Sequence, residues 1–316
     1  MPQPTTSQVH VNRPLTNIMI AYSQSADNFV ADKVFPVIPV DKKSDIYLLY
    51  TKHDWMRDDA KQREPGAPAS ESGFNIDSTN TYTCKRWDIA RAIPDELRAN
   101  SDAPIDMDRD SAEWATQQLL IRREVAWTAI NFVTSVWGTT ATPSTLWDDS
   151  LSDPLSDVDT AIKTILQNTG LSANTAVVGY DVWLALKKHT LIKEVYKYTS
   201  SDSITPEMVA RVLGIEKLYV CKSVYSTAHE KTTTPTYAFI QGKHMLVCYV
   251  EPNPGILKPS AGYTFAWTGF AGNNAGARIK KWRDEKRESD IIEAAFACDQ
   301  KLVCADCGYF FLSAVS

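Results

Sequence analysis

The stretch "YTCKRWDIARAIPDELRANSDAPIDMDRDSAEWATQQLLIRREVAWTAI", residues 82–130, changes its period half-way. Tyr82 to Pro94 is rich in aromatic and β-branched residues and predicts a strand. From Asp106 the pattern is helical. Asp106 and Asp108 suit the N-terminal cap and place negative charge at the positive end of the helix dipole. Ala112, Ala115, Leu119, Ala126, Ile130, Val133 and Trp137 fall largely on one stripe at spacings of three and four. Gly138 is expected to stop the helix. About thirty residues rising ~1.5 Å each make a rod of roughly 45 Å, long for a globular helix. Such a rod is either a core helix or a spine spanning an extended subunit.

Upstream, "STNTYTCKRWDIARAIP" (78–94) has a β-rich counterpart in "DIYLLYTKHDWM" (45–56). Between them lies "RDDAKQREPGAPASESG" (57–73), polar and rich in Pro, Gly, Ala and Ser. The arrangement predicts a long two-stranded arm with a loose tip. A ribbon of two strands is marginal alone in water, and a long aperiodic loop usually has a job. A neighbouring subunit is the natural candidate to hold it. "VFPVIPVDKK" (34–43), with prolines at 36 and 39, reads as an extended edge segment. Residues 1–33 read as an extended arm with a short helix around Thr16–Tyr22.

Downstream, "LSDVDTAIKTILQNTG" (155–170) predicts a helix capped by Ser156 or Asp157 and stopped at Gly170. "TAVVGY" (175–180) reads as a buried strand and "DVWLALKKHTLI" (181–192) as a helix. "SITPEMVARVLGI" (203–215) spells out its own helix, with Thr205 as N-cap, Pro206 in the first position, Glu207 in the first turn and Gly214 past the end. "KLYVCKSVY", "TYAFI" and "HMLVCYV" read as strands, the last two joined across Gln241-Gly242. This alternation indicates a compact α/β unit between about 171 and 268. The chain closes with two or three strands over 278–315, including a hairpin turning at Asp299-Gln300.

The 316 residues are 44% hydrophobic and 22% charged, which excludes wholesale disorder. A formal net charge of −5 argues against general nucleic-acid affinity, which needs an excess of Lys and Arg. The N-terminus has no apolar h-region, and no run approaches a membrane span, so a soluble intracellular product with reduced thiols is expected.

Candidate chemistry is sparse. Cys304-Ala-Asp-Cys307-Gly308 has zinc-knuckle spacing, but a structural zinc needs four ligands. In a regular strand residues 304 and 307 point to opposite faces, so chelation by both requires the strand to break there. Buried thiols acting as small hydrophobes are the better reading. A thioredoxin-like pair fits worse, since its CxxC precedes a helix. "GFAGNNAGARIKK" (269–281) lacks the phosphate-loop pattern, and "WDDSLSDPLSD" (147–157) lacks calcium-loop spacing; both read as loops, the second with helix-cap acids. His10, His53, His189, His229 and His244 sit in no catalytic frame. "RIKKWRDEKRE" (278–288) reads as a solvated face, or as a source of inter-subunit ion pairs. No catalytic, cofactor-binding or metal-ligating residue is expected.

The order of parts resembles the major capsid proteins of tailed phages, with the fold named after phage Hong Kong 97. "NFVADKVFPVIPV" (28–40) resembles the family's arm, "REPGAPASE" (63–71) its extended-loop tip, and residues 82–130 its return strand and spine helix. "NTAVVGYDVWLALKKHTLIKEVY" (174–196), "ITPEMVARVLGIEKLYV" (204–220) and "HMLVCYVEPNP" (244–254) are similar to the axial domain. Residues 278–312 are similar to the last strands of the peripheral domain.

The resemblance implies an α+β Hong Kong 97-like fold in five parts. These are an N-terminal arm (1–40), an extended two-stranded loop (41–92), a peripheral domain with the spine helix (93–170), an axial domain (171–272) and returning peripheral strands (273–316). It implies a non-enzymatic shell protein that forms hexamers and pentamers around double-stranded DNA, contacted non-specifically. The shell would assemble in the bacterial cytoplasm and end in the virion. A separate scaffold protein, a portal and decoration proteins are the implied partners, with no membrane. Trp55, Arg57, Arg63 and Glu64 near the loop tip would contact a neighbouring subunit. Lys52 and Lys61 match no cross-linking motif. The competing readings are an encapsulin-like nanocompartment and a zinc-binding α/β module.

Overall fold

Strand Ser289–Leu302 organises one half of the molecule in the computed structural model, which describes residues 24–101, 105–196, 204–228, 232–255, 258–271 and 276–316. The expected helix around Thr16–Tyr22 lies outside these. Along "IIEAAFAC" the apolar run is nearly continuous because both faces of the strand are covered. One edge pairs with Lys85–Pro94 in a ten-residue antiparallel register, from Ser289 opposite Pro94 to Cys298 opposite Lys85. The other edge is shared by Ala277–Asp284, opposite residues 296–289, and by Gly262–Ala266, opposite residues 302–298. Val37–Val40 extends this sheet in parallel with residues 264–267.

This register removes the expected turn at Asp299-Gln300. Asp299 pairs with Phe265 and Gln300 with Thr264, so the strand runs straight through both. The hairpin turns earlier, at residues 285–288, where the Asp284 carboxylate accepts the Lys286 amide and Glu288 adopts φ 43°. The mixed-charge run is therefore mostly strand, and several of its charges are paired within the chain. Arg283 makes a bidentate pair with Asp95 at 2.5 Å, and Lys281 bonds Asp108 at 2.5 Å.

The second sheet has the order Thr139–Ala141, Gly308–Phe311, Met245–Cys248, Thr175–Gly179, Lys217–Cys221, with parallel pairings at both edges and antiparallel ones inside. Successive residues alternate between two buried faces. Ala176, Val178, Met245, Val247, Tyr309 and Phe311 meet the helices Pro154–Thr169, Tyr180–Lys188 and Pro206–Val212. Val177, Leu246, Cys248 and Phe310 face a second cluster of Val34, Phe35, Trp127, Phe132 and Trp137. The strands "TYAFI" and "HMLVCYV" thus belong to different sheets, since residues 237–239 pair only with 224–226.

The long helix runs from Met107 to Asn131, 25 residues, with the Asp106 carboxylate accepting the amides of Asp108 and Arg109. It ends seven residues before Gly138. Trp137 turns back and its indole N–H donates to the Asn131 carbonyl at 2.7 Å, while the Asn131 side chain donates to the Trp127 carbonyl. Gly138 is needed for a different reason. Its amide donates to the Ala305 carbonyl, and a Cβ there would sit 2.6 Å from the Asp306 carboxylate.

The buried stripe also differs from the expected one. It comprises Met107, Ser111, Ala115, Glu124, Trp127 and Asn131, while Ile130 and Val133 are exposed. A stripe containing Ser, Glu and Asn is invisible to an apolar count, because each is buried with a partner or by its small size. Elsewhere the caps follow the sequence, with one substitution. Thr205 caps its helix, and Gly170 closes helix 154–169 in the left-handed conformation, but that helix is capped by Asp153 rather than Ser156 or Asp157. Asp157 instead accepts the Trp147 indole N–H at 2.8 Å.

Candidate functional site

Residues 43–51 and 75–84 form the expected ribbon. Ser44–Ile46 pairs with Thr81–Thr83, and Leu49–Tyr50 with Ile76–Asp77. The register slips by one residue between the two ladders, and Asp77 holds the slip by accepting the Thr79 amide and hydroxyl and the Asn80 amide group. These bonds keep its carboxyl below the usual carboxylate range. At its base the ribbon continues into strand 85–94, so the first sheet anchors it covalently.

One face of the ribbon is packed against its own chain. Tyr82 stacks on Phe265 at 4.6 Å and Tyr47 leans on the same ring. The other face is bare. Ile46, Leu48, Tyr50, Phe74 and Ile76 are exposed, Leu48 at 57% and Phe74 at 58%. Near the tip, Lys52–Met56 forms one helical turn that carries Trp55, 60% exposed, into a three-ring cluster with Tyr50 and Phe74, with centroids 5.5 to 6.1 Å apart. Monomers seldom leave so many large apolar groups contiguous and uncovered.

Arg57 is occupied inside the tip. Its guanidinium reaches Asp54 and Asp59 on the outgoing side and the Ser72 hydroxyl and Gly73 carbonyl on the return side. The Ser72 hydroxyl and then Arg57 depress the Asp59 carboxyl. Arg57 thus shapes the platform that presents Trp55. Arg63 and Glu64 sit further out, at a turn where the Ala67 amide donates to the Glu64 carbonyl and Gly66 has φ 87°. Pro65 then Gly66 is the pair that a type II turn requires. Arg63 donates back to the Ala67 carbonyl, and Glu64 is exposed. The four expected residues therefore divide into an aromatic knob with its clamp and a separate outer turn. Tyr50, Phe74, Leu48 and Ile46 were missed. For Ile46, Leu48 and Tyr50 the signal was present in "IYLLY", which lacks the alternation of a half-exposed strand and so demands cover on both faces.

Two contacts tie the ribbon to the second sheet. Lys52 pairs with Asp306, and the Met56 methyl lies over Gly170. The Asp306 turn contains the cysteine pair. Residues 305–307 form a 3-10 turn, with the Cys307 amide bonded to the Cys304 carbonyl at 3.2 Å, so the strand does break between the two thiols. Among the described residues no group of three or more His, Cys, Asp or Glu side chains is placed to hold a metal. The six cysteines are unbridged, all buried except the half-buried Cys304. His189 shares a buried contact with Ser152, and His244 accepts the Ser313 amide, its pKa lowered by burial. Both are structural. His10 and His229, and residues 272–275 of the glycine-rich stretch, lie outside the described residues. No described helix is long and apolar enough to cross a membrane.

No family model matches the chain. Two curated relatives cover nearly all of it. The major capsid protein of Burkholderia phage BcepMu is 21% identical over 308 residues, 95% of each chain. That of Pseudomonas phage JBD67 is 21% identical over 314 residues, 97% of each. Among solved structures, a phage-related protein of Bordetella bronchiseptica RB50 matches with TM-score 0.70 at 20% identity, over 92% of this chain and 94% of that one. The capsid protein of cyanophage P-SCSP1u matches with TM-score 0.62 at 11% identity, over 95% and 91%. The SrpI encapsulin of Synechococcus elongatus PCC 7942 follows at 0.54 and 10%, over 96% and 95%.

The two sheets, the long helix and the projecting ribbon are thus the α+β fold of Hong Kong 97-type shell proteins. Within that fold, the chain is similar over nearly its whole length to the major capsid proteins of the two phages.

Proposed function

We propose that the chain builds the icosahedral shell of a tailed bacteriophage, as hexamers and pentamers that close around double-stranded DNA. Residues 171–272, which supply three of the second sheet's five strands, would act as the axial domain gathered at each capsomer centre. Residues 93–170 and 273–316, with the long helix and strands 277–284 and 289–302, would act as the peripheral domain, and residues 1–40 as the arm. The observation that carries the reading is the ribbon's uncovered apolar face, ending in the Tyr50, Trp55 and Phe74 knob. A face of that composition at the end of a projecting ribbon is what a second copy of the chain would cover. Trp55 would be the anchor of that contact, with Arg57 as its clamp and Arg63 and Glu64 on its rim. A separate scaffold protein, a portal and decoration proteins would complete the assembly in the bacterial cytoplasm. With a net charge of −5, contact with packaged DNA would be local and non-specific.

Electron microscopy of the purified full-length protein, co-expressed with its scaffold where required, is expected to show capsomer rings or closed shells. Deleting residues 57–72 should leave a folded monomer with an unchanged circular-dichroism spectrum and no shells. Normal shells from that deletion would sink the proposal. Particles filled with an enzyme instead of DNA would move the chain to the encapsulin reading.

A further inference from the structure

We propose that Cys304 and Cys307 form a dithiol site that reacts with low-molecular-weight disulfides and closes to an intra-turn disulfide. The sequence argument against a paired role assumed an unbroken strand, with the two side chains on opposite faces. The strand ends at Leu302, and residues 304–307 make a hydrogen-bonded turn. The ends of such a turn lie less than ~7 Å apart Cα to Cα, a range that overlaps the roughly 4.4–6.8 Å a disulfide bridges.

The two sulfurs are unlike in access. Cys304 is half-buried and Cys307 fully buried, packed beside Trp137 and Cys248. That suits Cys304 as the attacking sulfur and Cys307 as the resolving one. Two charges stand close by, Lys52 and Asp306, paired to each other across the turn. The hydrogen bond from Cys307 draws the Cys304 thiol below its ordinary value, and the Lys52 ammonium acts in the same direction. The same bond and burial hold Cys307 well above it. The other four thiols are inert by the same criterion. Burial pushes Cys84 to about 11, Cys248 and Cys298 to about 12, and Cys221 well above the usual range.

The chemistry balances as an exchange. The Cys304 thiolate attacks one sulfur of the small disulfide, that S–S bond breaks, and one small thiolate leaves. Cys307 then gives its proton to solvent and attacks the Cys304 sulfur, expelling the second small thiolate. The protein loses two electrons and two protons, and the small disulfide ends as two thiols. No metal or further oxidant is needed.

The test is mass-spectrometric mapping of the purified full chain after native incubation with oxidised glutathione. Cleavage after Lys301 places both cysteines on one peptide, residues 302–316, and Cys298 on another. The expected result is loss of two hydrogens from that peptide while the other four cysteines stay reduced. Cys304 should also take iodoacetamide at least about tenfold faster than any of those four. The Cys307→Ser variant should retain a glutathione adduct on Cys304, and Cys304→Ser should take none. Wild-type peptide 302–316 that stays reduced, or oxidises no sooner than Cys84 and Cys248, overturns the proposal. So does a stable glutathione adduct on wild-type Cys304. The decisive readouts use the unmutated chain, so a misfolded variant does not blur them.

Discussion

"TAVVG" at 175–179 and "IYLLY" at 46–50 are the same kind of sequence, short apolar runs without alternation, yet they meet opposite fates. The first is buried at every residue between two layers of its own chain. The second is covered on the Tyr47 side and bare on the Ile46, Leu48 and Tyr50 side. A continuous apolar run therefore declares that a strand has two covered faces, and leaves open which chain supplies the cover. In the body the cover is intramolecular and contributes to folding. On the ribbon the described chain leaves that face bare, and the proposed shell would supply its cover from a second copy.

Substitutions can break or sharpen that contrast. Phe310→Ala, in the centre of the second sheet against Phe132, should cost about 3–5 kcal/mol in urea unfolding of the monomer. Gly308→Ala should cost about 1–3 kcal/mol, because a Cβ there would lie 2.1 Å from the Trp137 ring.

Glu124 tests the junction between body and arm. Its buried carboxylate accepts the amides of Val30 and Ala31 at 3.0–3.1 Å, flanked by Arg123, which pairs with Asp32, and by Lys33 and Cys221. Glu124→Ala should cost about 1–3 kcal/mol by orphaning those amides. Burial raises the Glu124 pKa in the folded state above its unfolded value, so the folded chain holds the proton more tightly. Its contribution is full below the ordinary carboxylate range and declines as pH rises through the folded value. Thermal melts from pH 4 upward should show this slope, and Glu124→Gln should flatten it; an unchanged slope would assign the pH dependence to other groups.

The smallest effect on stability belongs to the ribbon. Trp55→Ala should shift monomer unfolding by no more than ~0.5 kcal/mol while abolishing shell closure. A loss as large as that of Phe310→Ala would erase the distinction between the two regions.

Much of this was legible in the sequence where local chemistry decides. Thr205-Pro206 and Gly214, the ribbon with its Pro65-Gly66 tip, and the buried strand at 175 follow from caps, turns and apolar runs. The order of parts was read along the chain, and it is what carried the family resemblance. What failed depended on distant partners. The long helix ends at Asn131 because Trp137 returns to its carbonyl, and it buries Glu124 because the arm offers two amides. The straight passage of strand 289–302 through Asp299 is set by Gly262–Ala266, far away in the chain. Of the ring cluster at the tip, Trp55 stood out in the sequence, while Tyr50 and Phe74 join it only when the ribbon closes.

The Lys52–Asp306 pair has a mechanical consequence. Tension applied at the ribbon tip enters the body by two routes, through the backbone into strand 85–94 and through this ion pair into the 304–307 turn. That turn is in turn fastened to Gly138 and to Tyr249. A pull on the ribbon is thus shared between strand 85–94 and the turn at 304–307.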